Sequence, residues 1–150
     1  MLFDHVNHAN VYFLKKRFLL IPFFSVSSNS HVSGDWGGQS APPYTTGDEV
    51  KTAKSLKEQR DKFDVPLTLA LGDNFYDNGV KNAQDKRFQE TFENVFDASL
   101  DNFQVLAGNH DYNGNVSAEV EYSSMSKRWN FPSLYYTWTE DLDNGAHIQV

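Results

Sequence analysis

Asp35, Asp73, Tyr76, Asn109 and His110 fall in three short glycine-punctuated segments: GDWG at 34–37, GDNFYDNG at 72–79 and GNHDYNGN at 108–115. Carboxylate, amide oxygen, phenolate and imidazole suit hard or borderline cations, and one shared carboxylate can hold two of them about 3.5 to 4 Å apart. Asp73, in the middle segment, is the natural bridge. Such a pair of cations lowers the pKa of a bound water and clamps phosphoryl oxygens. Hydroxide then attacks phosphorus in line, without a protein nucleophile. His110 is placed to contact a substrate or to protonate its leaving oxygen, since imidazole titrates near neutrality.

These residues converge only if each segment is a turn just after a strand. In an open α/β sheet, ligands sit outside the carboxyl ends of the strands, where such turns gather. Positions 35, 73 and 109 lie 38 and 36 residues apart, close to the ~30 or more residues that a strand, crossover helix and parallel strand need. Two such units in series fit the spacing. The glycine before each Asp or Asn lets the backbone pass close to metal and substrate.

Between the segments the elements read in order. Residues 45–61 pattern as a helix with Val50, Ala53, Leu56, Arg60 and Phe63 near one stripe. Residues 65–73 read as an apolar strand with Pro66 at its start, where a missing donor is tolerated. Residues 85–98 give the clearest amphipathic helix, with Phe88, Phe92, Val95 and Phe96 directed to the core. Residues 103–107 read as a buried strand and 117–128 as a helix with Val120 inward. Residues 134–138 and 146–150 pattern as two strands joined by an Asp143-Asn144-Gly145 turn. Residues 27–33, before the first segment, are polar where an apolar strand is expected. Asp77, Asn78 and Asn113 read as turn residues, and Asp111 either orients His110 or closes its turn.

The chain has 150 residues, of which 39% are apolar and 15% aromatic, enough for the core of one ordinary domain. A net charge of -7 argues against nucleic acid as a partner, because its binders carry basic faces. An acidic protein that takes phosphate esters must neutralise them locally, with metal ions. With no cysteine, thiolate sites and disulfides are excluded, and metal ligands must be oxygen or nitrogen. Lys15, Lys16 and Arg17 precede the apolar run 18–26 and small serines follow it, so residues 1–27 read as a signal peptide or an atypical extension, with the domain at 28–150. The run is too short for a membrane span, which takes ~20 residues. The triplet Asn115-Val116-Ser117 is a glycosylation acceptor in a secreted protein.

The stretches GDWGG, LGDNFYDNGV, DKRFQETFENVF, LAGNHDYNGNVSAE and SKRWNFPSLYY, over about residues 34–136, resemble the calcineurin-like metallophosphoesterases, and within them the purple acid phosphatases of the tartrate-resistant type. The resemblance implies a layered α/β/β/α fold with mixed sheets, of which this chain is the N-terminal half. It further implies a secreted or lysosomal acid phosphatase that hydrolyses phosphate monoesters at two metal ions: iron, plus a second that is iron, zinc or manganese. On it, Asp35 is an iron ligand, Asp73 the bridge, Tyr76 the iron phenolate that colours these enzymes, and Asn109 a ligand of the second metal. His110 matches the family's active-site histidine.

Three departures stand out. The later histidine motifs of the family do not occur by Val150, Tyr112 stands where relatives often carry a second histidine, and the first strand is polar. The alternative is a catalytically dead, truncated relative that acts as a binding or regulatory protein. Oligomeric state is not legible in the sequence.

Overall fold

The computed structural model describes residues 11–12, 30–141 and 147–149. Its centre is a parallel sheet in which sequence order is spatial order: β1 (Val11–Tyr12), β2 (Ser30–Ser33), β3 (Leu67–Leu71), β4 (Phe103–Leu106) and β5 (Trp129–Asn130). All four pairings are parallel, with His31 opposite Thr68, Thr68 opposite Phe103 and Phe103 opposite Trp129. The α/β reading and the two successive parallel crossovers are therefore present. Among the described residues, antiparallel pairing is confined to a separate ribbon of β6 (Thr139–Asp141) and β7 (His147–Gln149). The basic and apolar run at 15–26, read as a signal peptide, lies outside the described residues.

The first crossover helix, α1 (Gly47–Phe63), starts at a reciprocal cap: Thr46 Oγ1 accepts from Glu49 N at 3.2 Å, and Glu49 Oε2 accepts from Thr46 N at 3.2 Å. That cap turns the buried stripe by one residue from the expected one. Glu49 joins Ala53 and Leu56 inside, while Val50 is exposed. Burial pushes the Glu49 carboxyl up to about 8, against the backbone bond from Thr46 and the charge of Arg87.

The helix expected over 85–98 is shorter and wider. It spans Phe88–Glu93 with an i to i+5 bond from Asn94 N to Gln89 O of 3.0 Å. Asp85 and Asp97 set its limits, because their carboxylates accept from backbone N–H groups two residues on, at Arg87 (3.1 Å) and Ser99 (3.0 Å). The wide turn still sends Phe88, Phe92 and, beyond it, Phe96 into the core. The helix expected over 117–128 is α3 (Val116–Tyr122), and its buried residues are Ala118, Glu119 and Tyr122, with Val120 only half-buried. Residues 134–138 are not a strand: Tyr135 is 88% exposed, and Tyr136 turns its hydroxyl inward to Val105 O (3.0 Å) and Asn130 O (2.9 Å).

One face of the sheet packs on an aromatic core. Trp36, Phe75, Phe92, Phe96, Phe103 and Trp129 meet edge to face or tilted, with centroids 5.0 to 6.2 Å apart. Trp36 and Phe75 belong to the glycine-punctuated segments. The same turns that carry the candidate ligands are thus anchored in the core one and two residues further on.

The polar first strand does form, and it buries a polar residue. His31 is 1% exposed on β2, with Nδ1 3.4 Å from Thr68 Oγ1 on β3. Burial, helped by the charge of Arg60, lowers its pKa to about 4. The ring is therefore neutral in the fold while the unfolded chain titrates near 6.5. Its contribution to stability is complete above pH 6.5 and is lost as pH falls toward 4. His31→Val is expected to remove on the order of 2–3 kcal/mol of acid destabilisation between those limits. Thermal melts at pH 7 and pH 4.5 test this. A difference between the two pH values as large in the variant as in the parent would refute it.

Candidate metal and phosphate site

The three segments occupy the loops after the carboxyl ends of β2, β3 and β4, as their spacing predicts. Backbone bonds join the first two directly: Asp35 N donates to Gly72 O (3.2 Å), Gly37 N to Asp73 O (3.1 Å) and Tyr76 N to Gly37 O (3.0 Å). Asp35 and Asp73 both take the left-handed conformation, at φ 56° and 52°, which Asp tolerates better than most side chains.

Glycine is required where the second and third turns meet. A Cβ on Gly72, itself at φ 90°, would lie 2.4 Å from Gly108 N, and one on Gly108 would lie 2.2 Å from Asp73 Oδ1. Neither side has room.

This close approach brings the predicted residues together. Tyr76 Oη donates between two carboxylates, at 2.8 Å from Asp35 Oδ1 and 3.0 Å from Asp73 Oδ2. The other oxygen of Asp73 accepts from His110 N at 3.1 Å, which ties the second turn to the third. Asn109, exposed, is the first residue of α2 (Asn109–Tyr112) and immediately precedes that bonded amide. The His110 ring lies edge-on to Tyr76 at 4.6 Å, and its Nδ1 donates to Asp77 O at 2.7 Å. With Nδ1–H so committed, Nε2 is the nitrogen left to exchange a proton. The same carbonyl, and then the nearby Asp73, Asp77 and Asp111 carboxylates, raise the pKa of His110.

Desolvation first, and then the bonds to Asp35 and Asp73, hold the Tyr76 phenol far above its usual pKa. Three oxygens from two loops share one proton there, and a cation in its place would meet two carboxylates and a phenolate. Among the described residues no three His, Cys, Asp or Glu gather into a cluster. It is the phenol that completes a three-oxygen donor set, and that set fits hard or borderline cations.

Behind the oxygens lies a layer of buried polar residues, of which sequence reasoning placed Asp111 in its turn and missed Asn74 and Glu119. Asp111, 0% exposed, accepts from the backbone N–H groups of Asn74, Phe75 and Gly108. Its carboxylate closes the turn and holds the neighbouring loop, whereas the His110 ring faces Asp77. Asn74 donates its amide to Leu106 O (2.8 Å) and Glu119 Oε2 (3.1 Å). Burial, with the Asp111 charge next, pushes the Glu119 carboxyl up to about 9. Its Oε1 has no hydrogen-bond partner among the described residues, in keeping with a buried carboxyl that keeps its proton. A buried Glu on a short helix and a polar residue beside a ligand give no local pattern from which either role could be read.

A family model, calcineurin-like phosphoesterase, matches residues 30–148. The chain belongs to this family. The family acts on phosphate esters. The chain is 56% identical over 106 residues to tartrate-resistant acid phosphatase type 5 of Sus scrofa, covering 69% of this chain and 31% of that one. It is 53% identical to the same protein of Homo sapiens over 106 residues, covering 69% and 33%. To purple acid phosphatase 3 of Arabidopsis thaliana it is 36% identical over 103 residues, covering 65% and 26%. The chain therefore spans about a third of the length of the curated relatives it matches. Among solved structures it resembles GAP50, the anchor in the inner membrane complex of Plasmodium, with a TM-score of 0.65 and 22% identity, over 80% of this chain and 39% of that one. That likeness shows the fold alone. No helix among the described residues is long and apolar enough to cross a membrane.

Two substitutions probe this site. Gly108→Ala forces a Cβ into Asp73 and is expected to destabilise the fold by about 1–3 kcal/mol, measured by denaturant unfolding. An unperturbed midpoint would mean that the two turns are not in contact. Glu119→Gln replaces a carboxyl that the fold holds protonated and the unfolded chain ionises near 4.5. The parent is expected to lose stability as pH rises from 5 toward 9, and the variant to lose less. Equal slopes in melts over that range would show that Glu119 is ionised in the fold.

Proposed function

We propose that this chain carries part of the active site of an acid phosphatase that hydrolyses phosphate monoesters at a dinuclear metal centre. The observation that carries the reading is the Tyr76 oxygen, 2.8 Å from an Asp35 oxygen and 3.0 Å from an Asp73 oxygen at the carboxyl ends of parallel strands. The identity to tartrate-resistant and purple acid phosphatases supports the same reaction. In this reading Asp35 and Tyr76 hold an iron ion, Asp73 bridges, and Asn109 holds a second ion of iron, zinc or manganese.

When bound, two such cations acidify a water for attack on phosphorus and neutralise the phosphoryl oxygens. The chain's own residues do the rest. Asp73 keeps one oxygen toward Tyr76 while the other is fixed by the His110 amide, so its carboxylate plane is set before any ligand arrives. His110, with Nδ1–H held on the Asp77 carbonyl, presents Nε2 to the leaving oxygen and gives it a proton in its cationic form. Its raised pKa favours that form in mild acid. An acidic chain with such a site fits a secreted or lysosomal setting.

Ferric iron, supplied as its citrate complex, tests the ligand set. The chain is expected to develop a visible phenolate-to-iron absorption that Tyr76→Phe abolishes. Asp73→Ala is expected to weaken iron binding by more than about 100-fold, since even outer-shell partners of a metal cost 10–100-fold. Phenyl phosphate is expected to shift the band where dimethyl phosphate does not, which separates monoester from diester recognition. A band that survives Tyr76→Phe would sink the assignment.

A further inference from the structure

Two buried side chains of opposite charge span the three turns, and neither belongs to the oxygen cluster they surround. Arg87, 6% exposed, stands just before the wide helical segment. Its Nη1 donates to Gly79 O (2.9 Å) in the second turn, and its Nη2 to Gly37 O (3.1 Å) in the first. The guanidinium is fixed from its faces by Phe75 and Tyr44, 5.4 and 5.6 Å from the ring centroids. Asp111 does the converse. It accepts from Asn74 N (2.9 Å) and Phe75 N (3.1 Å) in the second turn, and from Gly108 N (2.7 Å) in the third. The cation therefore collects carbonyls, the anion collects N–H groups, and the second turn is held by both.

We propose that Arg87 and Asp111 are positioning residues that set the spacing of Asp35, Asp73 and Asn109 for two metal ions. The inference rests on the function proposed above. Each turn is a strand-end loop whose unpaired backbone groups face the interior, and charge-assisted bonds are the strongest that can satisfy them there. The fork of a guanidinium meets two diverging carbonyls at once, which a lysine ammonium does not. A carboxylate offers acceptors on both oxygens, whereas an asparagine would turn N–H against N–H and leave a buried donor orphaned. Errors of about 0.5 Å in ligand placement are enough to spoil a metal or catalytic constellation, so loss of either fork acts on the site before it acts on the fold.

Ferric citrate titrations of the full chain, followed by the phenolate-to-iron band, test this alongside thermal melts without iron. Arg87→Lys and Asp111→Asn are each expected to weaken iron affinity about 10- to 100-fold and to shift the band. Leu56→Ala, in the buried stripe of α1, is expected to lower the melting temperature and leave affinity and band unchanged. Arg87→Lys keeps the charge and remains informative should Asp111→Asn not fold. Wild-type affinity in Arg87→Lys, with binding lost in Asp73→Ala, overturns the positioning role alone. Affinity lost equally in Leu56→Ala also overturns it, because the effect would then be one of stability. No band in the wild type, or an unchanged band in Asp73→Ala, overturns the metal site itself and this inference with it.

Discussion

Two carboxylates and a phenol that meet at one oxygen are the constraint from which the rest of the structure follows. Asp35 and Asp73 approach the same Tyr76 hydroxyl within 3.0 Å, and like charges at such range repel unless a proton or cation lies between them. That geometry must be enforced from outside the cluster. Gly72 and Gly108 supply the closeness, since a Cβ on either would collide with the other turn. The backbone bonds from Asp35, Gly37 and Tyr76 supply the alignment. The aromatic core supplies the anchorage, because Trp36 and Phe75 are buried immediately beside the residues that face the cluster.

Much of this was legible in the sequence, for a physical reason. Three Gly-Asp or Gly-Asn turns at crossover spacing imply parallel strands with their carboxyl ends aligned, and the strands at Leu67–Leu71 and Phe103–Leu106 fall where apolar runs place them. Asp35, Asp73, Tyr76 and His110 converge as read. The failures lie where a side chain answers to a backbone group rather than to a period. The helix at 85–98 has the right apolar pattern, yet Asp85 and Asp97 bond to the chain beside them and shorten it. The stripe of α1 slips by one because Glu49 is turned in by its cap. The strand predicted at 134–138 is displaced to Thr139–Asp141, since Tyr136 spends its hydroxyl on Val105 and Asn130.

Arg87, Asn74 and Glu119 were illegible for a different reason. Their partners are backbone atoms and side chains of other elements, 8 to 50 residues away in sequence, and no spacing rule encodes such contacts. Asp111 stood in between. Its place in the turn was evident, but its bonds to Asn74 and Phe75 depend on how close the second turn comes, and that is set by Gly72 and Gly108, 39 and 3 residues before it.

The buried titratable groups also bear on the conditions that the fold favours. Glu49 and Glu119, pushed up to about 8 and about 9, hold protons that the unfolded chain has released above 4.5, so each loses stability as pH rises through that range. His31, lowered to about 4, works the other way below 6.5. Between neutrality and mild acid, two carboxyls therefore gain what one imidazole gives back, and the balance favours the acid side. Nothing in the oxygen cluster itself demands this. It follows from burying carboxyls without full ionic partners behind the turns, where Glu119 stands beside Asp111 and Glu49 meets a helix cap and the charge of Arg87 without an ion pair among the described residues. A fold that keeps Glu49 and Glu119 neutral adds only the Asp111 carboxylate to the negative charge around Asp35 and Asp73, and that carboxylate is met by three backbone N–H groups. The remaining negative charge lies on the oxygens that face the cation positions, while the two neutral acids leave the loops packed.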